Sequence, residues 1–165
     1  MSNGFSLNSA TYSLEKYFSD YSVSEETQSK LDDTEVLVLP YPSLYGDSKY
    51  YFAPEAINFV KFCKNENGGL KTDILADEDK IEVRSLHSHD IWMPIILIGS
   101  NIILPTVIGI VSNYIYDRMK GREKEDCTVK VSFIINDGEK AKQLNYEGDA
   151  KTFKESFEKI DINKL

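Results

Sequence analysis

The apolar positions of this chain change spacing several times along its 165 residues, and each spacing predicts a different element. Leu14, Tyr17, Phe18 and Tyr21 fall at i, i+3, i+4 and i+7, which puts them on one face of a helix. EVLVLPYP, from Glu35, is a short aliphatic run stopped by Pro40 and Pro42, the pattern of a buried strand followed by a turn. Pro54 stands where a helix begins, and Ala56, Ile57, Phe59, Val60 and Phe62 make that helix amphipathic as far as Asn65 to Gly69. LKTDILA and KIEVRSL alternate like strands on either side of the acidic turn Asp77-Glu78-Asp79, predicting a hairpin or adjacent strands. Further on, Val129, Val131, Phe133 and Ile135 alternate with Lys130 and Ser132, and Asn136-Asp137-Gly138 follows at once. Asp-Gly supports the positive backbone angles of a tight hairpin turn, so KAKQLNY is the expected return strand. Asp149 is placed as an N-cap for a closing helix carrying Phe153, Phe157 and Ile160.

The longest apolar feature, IWMPIILIGSNIILPTVIGIVSNYIY, runs 26 residues from Ile91 to Tyr116 without a charge. Length alone would let it cross a bilayer, which takes roughly 20 residues. Pro94 and Pro105 each remove a backbone donor, however, and Gly99-Ser100-Asn101 is a turn signal that divides the run. IWMPIILI then reads as a buried strand or apolar loop, and LPTVIGIVSNYIYDRMKG as a helix with Pro105 in its first turn. That helix is two-sided: Ile103, Val107, Ile110, Val111, Tyr114 and Ile115 gather on one face, and Thr106, Gly109, Asn113, Tyr116 and Lys120 on the other. Arg118, Lys120 and Gly121 suit its C-terminal turn. A packed core or a protein interface is favoured over a membrane span.

Together these elements predict an α+β domain over residues 34–165, preceded by a mobile or partner-docked N-terminal arm, residues 1–33, whose aromatic helix either docks on its own domain or orders on a partner or a second copy. Its core is expected to be a mixed or antiparallel sheet of about five or six strands with two or three helices on one face. No period of about 20 to 50 residues repeats. At 41% hydrophobic and 28% charged residues the composition is that of an ordinary globular chain. Its formal charge of −8 disfavours nucleic acid as a partner. The excess lies in residues 1–90, with 16 acidic and 8 basic side chains, whereas residues 117–165 hold 11 of each. Cys63 and Cys127 have no pairing or metal-binding spacing and read as buried thiols, and the N-terminus lacks the features of a secretory signal, so a cytoplasmic location is expected.

Candidate chemistry is sparse. His87-Ser88-His89-Asp90 is the sole cluster of reactive types, and a strand would put both imidazoles on one face, able to share a metal. These are the chain's two histidines, and no spacing supplies further ligands, so neither a metal site nor a cofactor is expected. Nucleophile elbows, phosphate-cradling loops and calcium loops are absent. Ten tyrosines, with Tyr41, Tyr45, Tyr50 and Tyr51 close together, suit a protein interface, because tyrosine buries a large area and keeps a hydroxyl. Candidate partner-binding residues are Tyr17, Phe18, Tyr21, Tyr45, Tyr50, Tyr51, Trp92, Tyr114 and Tyr116.

IGIVSNYIYDRMKG and the following TVKVSFIINDGEKAKQLNYEGDAKTFKESF resemble the C-terminal parts of uncharacterised prokaryotic accessory domains associated with effectors of conflict and phage defence. Tyr116, Asp117, Arg118, Gly121, Tyr146, Glu147, Gly148 and Phe153 carry the likeness, over roughly a third of the chain. The resemblance implies a non-catalytic adaptor in a defence assembly. The expected function is an interaction subunit that binds a larger protein, with self-association open. The alternatives are a membrane-anchored effector or regulator with a span within 91–116, and a metal-dependent hydrolase using His87 and His89.

Overall fold

A computed structural model describes residues 4–10, 12–42, 49–65, 70–83, 91–99, 102–122, 126–137 and 140–159. The strands are β1 (Gly4–Ser9), β2 (Val36–Leu39), β3 (Tyr41–Pro42), β4 (Tyr50–Tyr51), β5 (Thr72–Ile74), β6 (Ile91–Ile98), β7 (Thr128–Asp137) and β8 (Lys140–Asp149). The helices are α1 (Leu14–Tyr21), α2 (Glu25–Gln28), α3 (Lys30–Asp33), α4 (Ala56–Asn65), α5 (Leu104–Met119) and α6 (Phe153–Glu158). The fold is α+β, with a mixed six-stranded sheet in the order β1-β8-β7-β6-β2-β5 and a separate β3-β4 pair.

β2 and β5 are parallel neighbours joined through α4, and β6 and β7 are parallel neighbours joined through α5. β2 and β6 pair antiparallel, so the sheet holds two β-α-β units head to tail, extended by the β7–β8 hairpin and by β1. Parallel neighbours require such crossovers, and a helix supplies one while burying its apolar stripe on the sheet.

The 26-residue apolar stretch supplies β6 and most of α5 in the second of these units. β6 is buried on both faces, as a central strand covered on both sides must be, and its register against β7 shifts between Trp92 and Ile95. Pro94 sits inside that irregularity, which is where a residue without an N–H is tolerated in a sheet interior. At Gly99 a Cβ would lie 3.0 Å from the Glu35 carbonyl, so the strand leaves the sheet through a contact that glycine alone permits. α5 then starts with Pro105 in its first turn, as predicted, and Gly121, at φ +82°, follows its end. Among the described residues no helix is long and apolar enough to cross a membrane.

Two apolar clusters flank the sheet. The larger holds Val129, Val131, Phe133, Leu144 and Tyr146 of the hairpin together with the buried faces of α4, α5 and α6, so the three longer-range helices share one face as expected. The smaller lies on the other face, where Leu37, Leu39, Ile95 and Ile134 meet Tyr17, Val23 and Tyr50.

Several expectations are corrected. Within residues 4–33 the helix takes the docked reading and GFSLNS is a strand as well: β1 pairs with β8 over its whole length, because the alternating Phe5 and Leu7 supply a core-facing side. Tyr17 anchors α1 on the face opposite α4, α5 and α6, donating a 2.6 Å hydrogen bond to the Leu75 carbonyl. LKTDILA contributes β5; of KIEVRSL only residues 80–83 are described, and these do not pair with β5, Val83 instead forming a parallel bridge with Phe52. The chain turns away after β5 because Asp77 is held by the N-terminal segment, accepting from Ser24 Oγ at 2.7 Å and Thr27 Oγ1 at 2.5 Å. On α5, Ile103 stays 67% exposed at the helix start, while Ile108 and Met119 join the buried face. Ile57 of α4 is likewise exposed and Cys63 is buried in its place.

Candidate functional site

α5 lies between α4 and α6 on the main face of the sheet, and its two flanks are built differently. Towards α4, Tyr114 and Arg118 are one turn apart and converge on Glu55, which stands just ahead of α4. The Tyr114 hydroxyl donates to Glu55 Oε1 at 2.7 Å, and Arg118 Nε lies 2.8 Å from the same oxygen. Glu55 is only 7% exposed, and its backbone N–H reaches the Trp92 carbonyl at 3.4 Å, so the residue joins α5 through its carboxylate and the start of β6 through its backbone. A buried carboxylate is tolerable because a cation and a hydroxyl both satisfy it. Burial, followed by the adjoining Glu55 carboxylate, pushes the Tyr114 hydroxyl well above its ordinary range.

Towards α6 the contact is incomplete. The C-terminal half of α5 and the segment from Ala150 to Lys154 enclose an open groove of about 510 Å³. Its floor is apolar, from Ile115, Met119, Ala150 and Phe153, all buried. Its rim carries Asn113, Lys151, Lys154 and Tyr116, the last 71% exposed. Local sequence explains this shape. Asp149 Oδ1 accepts from the Lys151 N–H at 3.0 Å and caps a short 3-10 turn, which sets α6 back before Phe153 and Phe157 dock on β1 and β8. Among the described residues the groove has no acidic lining side chain, although the chain carries a net charge of −8.

No family model, curated protein or solved structure matches the chain. Its own geometry therefore carries the functional reading.

The predicted partner-binding residues are dispersed. Tyr17, Tyr50 and Tyr114 are core side chains and present no free surface. Tyr17 and Tyr50 belong with Tyr12, Phe18 and Tyr21 to an aromatic cluster whose ring centroids lie 5.0 to 6.3 Å apart, and the Tyr50 N–H donates to the Tyr21 hydroxyl. Phe18, Tyr21 and Tyr51 are half-buried. Trp92 is half-buried too, its ring tilted against that of Tyr41 at a centroid distance of 5.3 Å, with Lys130 Nζ 5.8 Å from its ring centroid. Tyr116 alone of these lines the groove. Tyr45, His87 and His89 lie outside the described residues. Among the described residues no group of three His, Cys, Asp or Glu side chains is placed to hold a metal. Cys63 and Cys127 are both buried, and no disulfide links them.

Sequence reasoning overlooked Glu55, which has no periodic signature, and gave Lys151 and Lys154 no part in a binding surface. The signal for the lysines was available: they flank Phe153, so a helix that buries this ring carries both cations to the edge of whatever it packs against.

Proposed function

We propose that the chain is a non-catalytic interaction subunit that grips a segment of a larger protein in the groove between α5 and α6. One observation supports this reading: a buried apolar floor bordered by an exposed tyrosine and two lysines. Five residues of α5, between Ser112 and Met119, contribute along about 10 Å of helix. That length suits successive side chains of a bound helix or extended peptide. Tyrosine is a frequent energetic centre of protein interfaces. The lysines favour an apolar segment that also carries acidic residues, since the rest of the chain repels such a segment at long range and the groove attracts it locally. Membership of a prokaryotic defence assembly belongs to this proposal on the strength of the resemblance of the C-terminal third alone.

A photo-crosslinking side chain at Tyr116, introduced in the native host, should trap one protein in high yield. Lys151→Glu combined with Lys154→Glu should abolish the crosslink without lowering the melting temperature. Crosslinking that is absent, or that survives the charge reversal, would refute the proposal.

A further inference from the structure

The two edges of the six-stranded sheet are protected differently. β5 has three residues, Lys71 precedes it, and Asp73 at its centre pairs with Lys30 at 3.5 Å. Short length and charge are the usual devices that stop a sheet edge from pairing with another chain. β1 has neither. GFSLNS runs six residues in unbroken register against β8 with no charge, proline or bulge.

Backbone alternation fixes which groups this edge offers. The Ala10 N–H donates to the Ala141 carbonyl at 3.0 Å. In an antiparallel ladder the residues that bond to one neighbour alternate along the strand. Asn8, Ser6 and Gly4 therefore turn their N–H and C=O groups to β8, as Ala10 does. Phe5, Leu7 and Ser9 turn theirs to the open side, and among the described residues no strand lies beyond β1. The side chains sort the other way. Phe5 and Leu7 pack on the main core, and Ser6 and Asn8 are exposed on the opposite face.

We propose that β1 of a second copy completes this edge, antiparallel about a two-fold axis through Leu7, joining two sheets into one. In this register Leu7 faces the partner's Leu7 and Phe5 faces the partner's Ser9, each pair exchanging both backbone hydrogen bonds. Ser6 faces the partner's Asn8 in the non-hydrogen-bonded positions, where side chains come closest. A second copy is the occupant because the strand is complementary to itself. Every residue brought face to face is uncharged, so two chains of charge −8 meet along a neutral line. The contact also closes at two copies and leaves no further β1 edge to extend. The assembly would present two α5–α6 grooves, but the pairing does not depend on what those grooves bind.

Sedimentation velocity on the full chain from about 1 to about 500 µM tests the pairing. The expected result is a reversible monomer–dimer equilibrium within that range. Ser6→Lys with Asn8→Lys sets like charges opposite each other twice and should weaken association about tenfold at low salt. Ser6→Lys with Asn8→Glu sets opposite charges in the same places and should restore it. Ser9→Pro removes an outward N–H and no bond to β8, so it should leave circular dichroism and melting of the monomer unchanged while lowering dimer content. A wild-type chain that stays monomeric throughout, or a dimer indifferent to the sign of these charges, would overturn the proposal.

Discussion

Tyr17 offers the most direct measurement of how firmly the N-terminal helices belong to the domain. Its ring is 3% exposed and lies 5.0 to 6.3 Å from the rings of Tyr12, Phe18, Tyr21 and Tyr50, and its hydroxyl reaches the Leu75 carbonyl across 58 residues of chain. Tyr17→Phe keeps the ring contacts and removes the hydrogen bond, whose net worth is about 1 kcal/mol, rising towards about 2 if the carbonyl is left without a partner. Tyr17→Ala removes the ring as well, and truncation of a buried aromatic costs about 3–5 kcal/mol. For a chain of this size each kcal/mol lowers the midpoint of thermal unfolding by about 2–4 °C. The phenylalanine variant should therefore melt about 2–8 °C lower and the alanine variant about 6–20 °C lower. Urea denaturation separates stability from compactness: the midpoint should fall with little change in slope for the phenylalanine variant. If α1 were a tethered arm, both substitutions would fall within about 0.5 kcal/mol of the wild type, as exposed positions do. That result would refute the docking of α1.

Three further outcomes follow from the same structure. Burial raises the hydroxyls of Tyr12, Tyr17, Tyr41 and Tyr114 above the ordinary tyrosine range and pushes Tyr50 up to about 12. A folded value above the unfolded one gives stability that is present below about pH 10 and lost as the pH rises through it. Tyrosinate absorbance from these five should therefore appear together with unfolding, and ionisation of all ten tyrosines near pH 10 with intact near-ultraviolet circular dichroism would contradict the packing. The Asp77 carboxyl is held below its ordinary value, chiefly by the Thr27 and Ser24 hydroxyls. Its contribution is present above about pH 4 and is lost as the pH falls through the lowered folded value, so Asp77→Asn should flatten the acid limb of a stability–pH curve. Glu55→Ala should cost about 2–3 kcal/mol, because Tyr114 is left without its acceptor while half-exposed Arg118 can turn to water. A double-mutant cycle with Tyr114→Phe should show a coupling of about 1 kcal/mol by chemical denaturation, and simple additivity would place the two groups out of contact.

The elements that sequence alone revealed are those whose signals are local. Gly99, Pro105 and Gly121 mark the ends of β6 and α5, and alternation from Val129 to Ile135 marks β7, since a two-residue period and a helical stop are written in neighbouring side chains. The missed features depend on distant partners. Phe5 and Leu7 alternate like strand residues, but GFSLNS becomes a strand only because β8, more than 130 residues away, offers a ladder. The aromatic stripe of α1 was legible as a stripe, and its covering surface was not, because Leu75 and Tyr50 reach it only through the fold. The parallel direction of β2 with β5 and of β6 with β7 likewise leaves no mark on either strand.

The two β-α-β units also explain why the groove lies where it does. Antiparallel pairing of β2 with β6, with both crossover helices in the same core cluster, means that a half-turn about the sheet normal carries one unit's topology onto the other. No repeat is visible in the sequence because the units differ in size: β2 and α4 have 4 and 10 residues, β6 and α5 have 8 and 16. At 1.5 Å per residue α5 is about 24 Å long against about 15 Å for α4. One flank of its C-terminal half is fixed by Glu55 through Tyr114 and Arg118, and the other flank, with Tyr116 and Met119, faces α6 across the groove. Residues 114 and 118 are interleaved with 115, 116 and 119 on the same turns, so the latch and the groove wall move as one rigid piece of helix. A substitution at Glu55 that leaves the chain folded should therefore weaken crosslinking at Tyr116 without touching the groove, whereas one at Asp77, on the opposite side of the sheet and anchored to α2, should not.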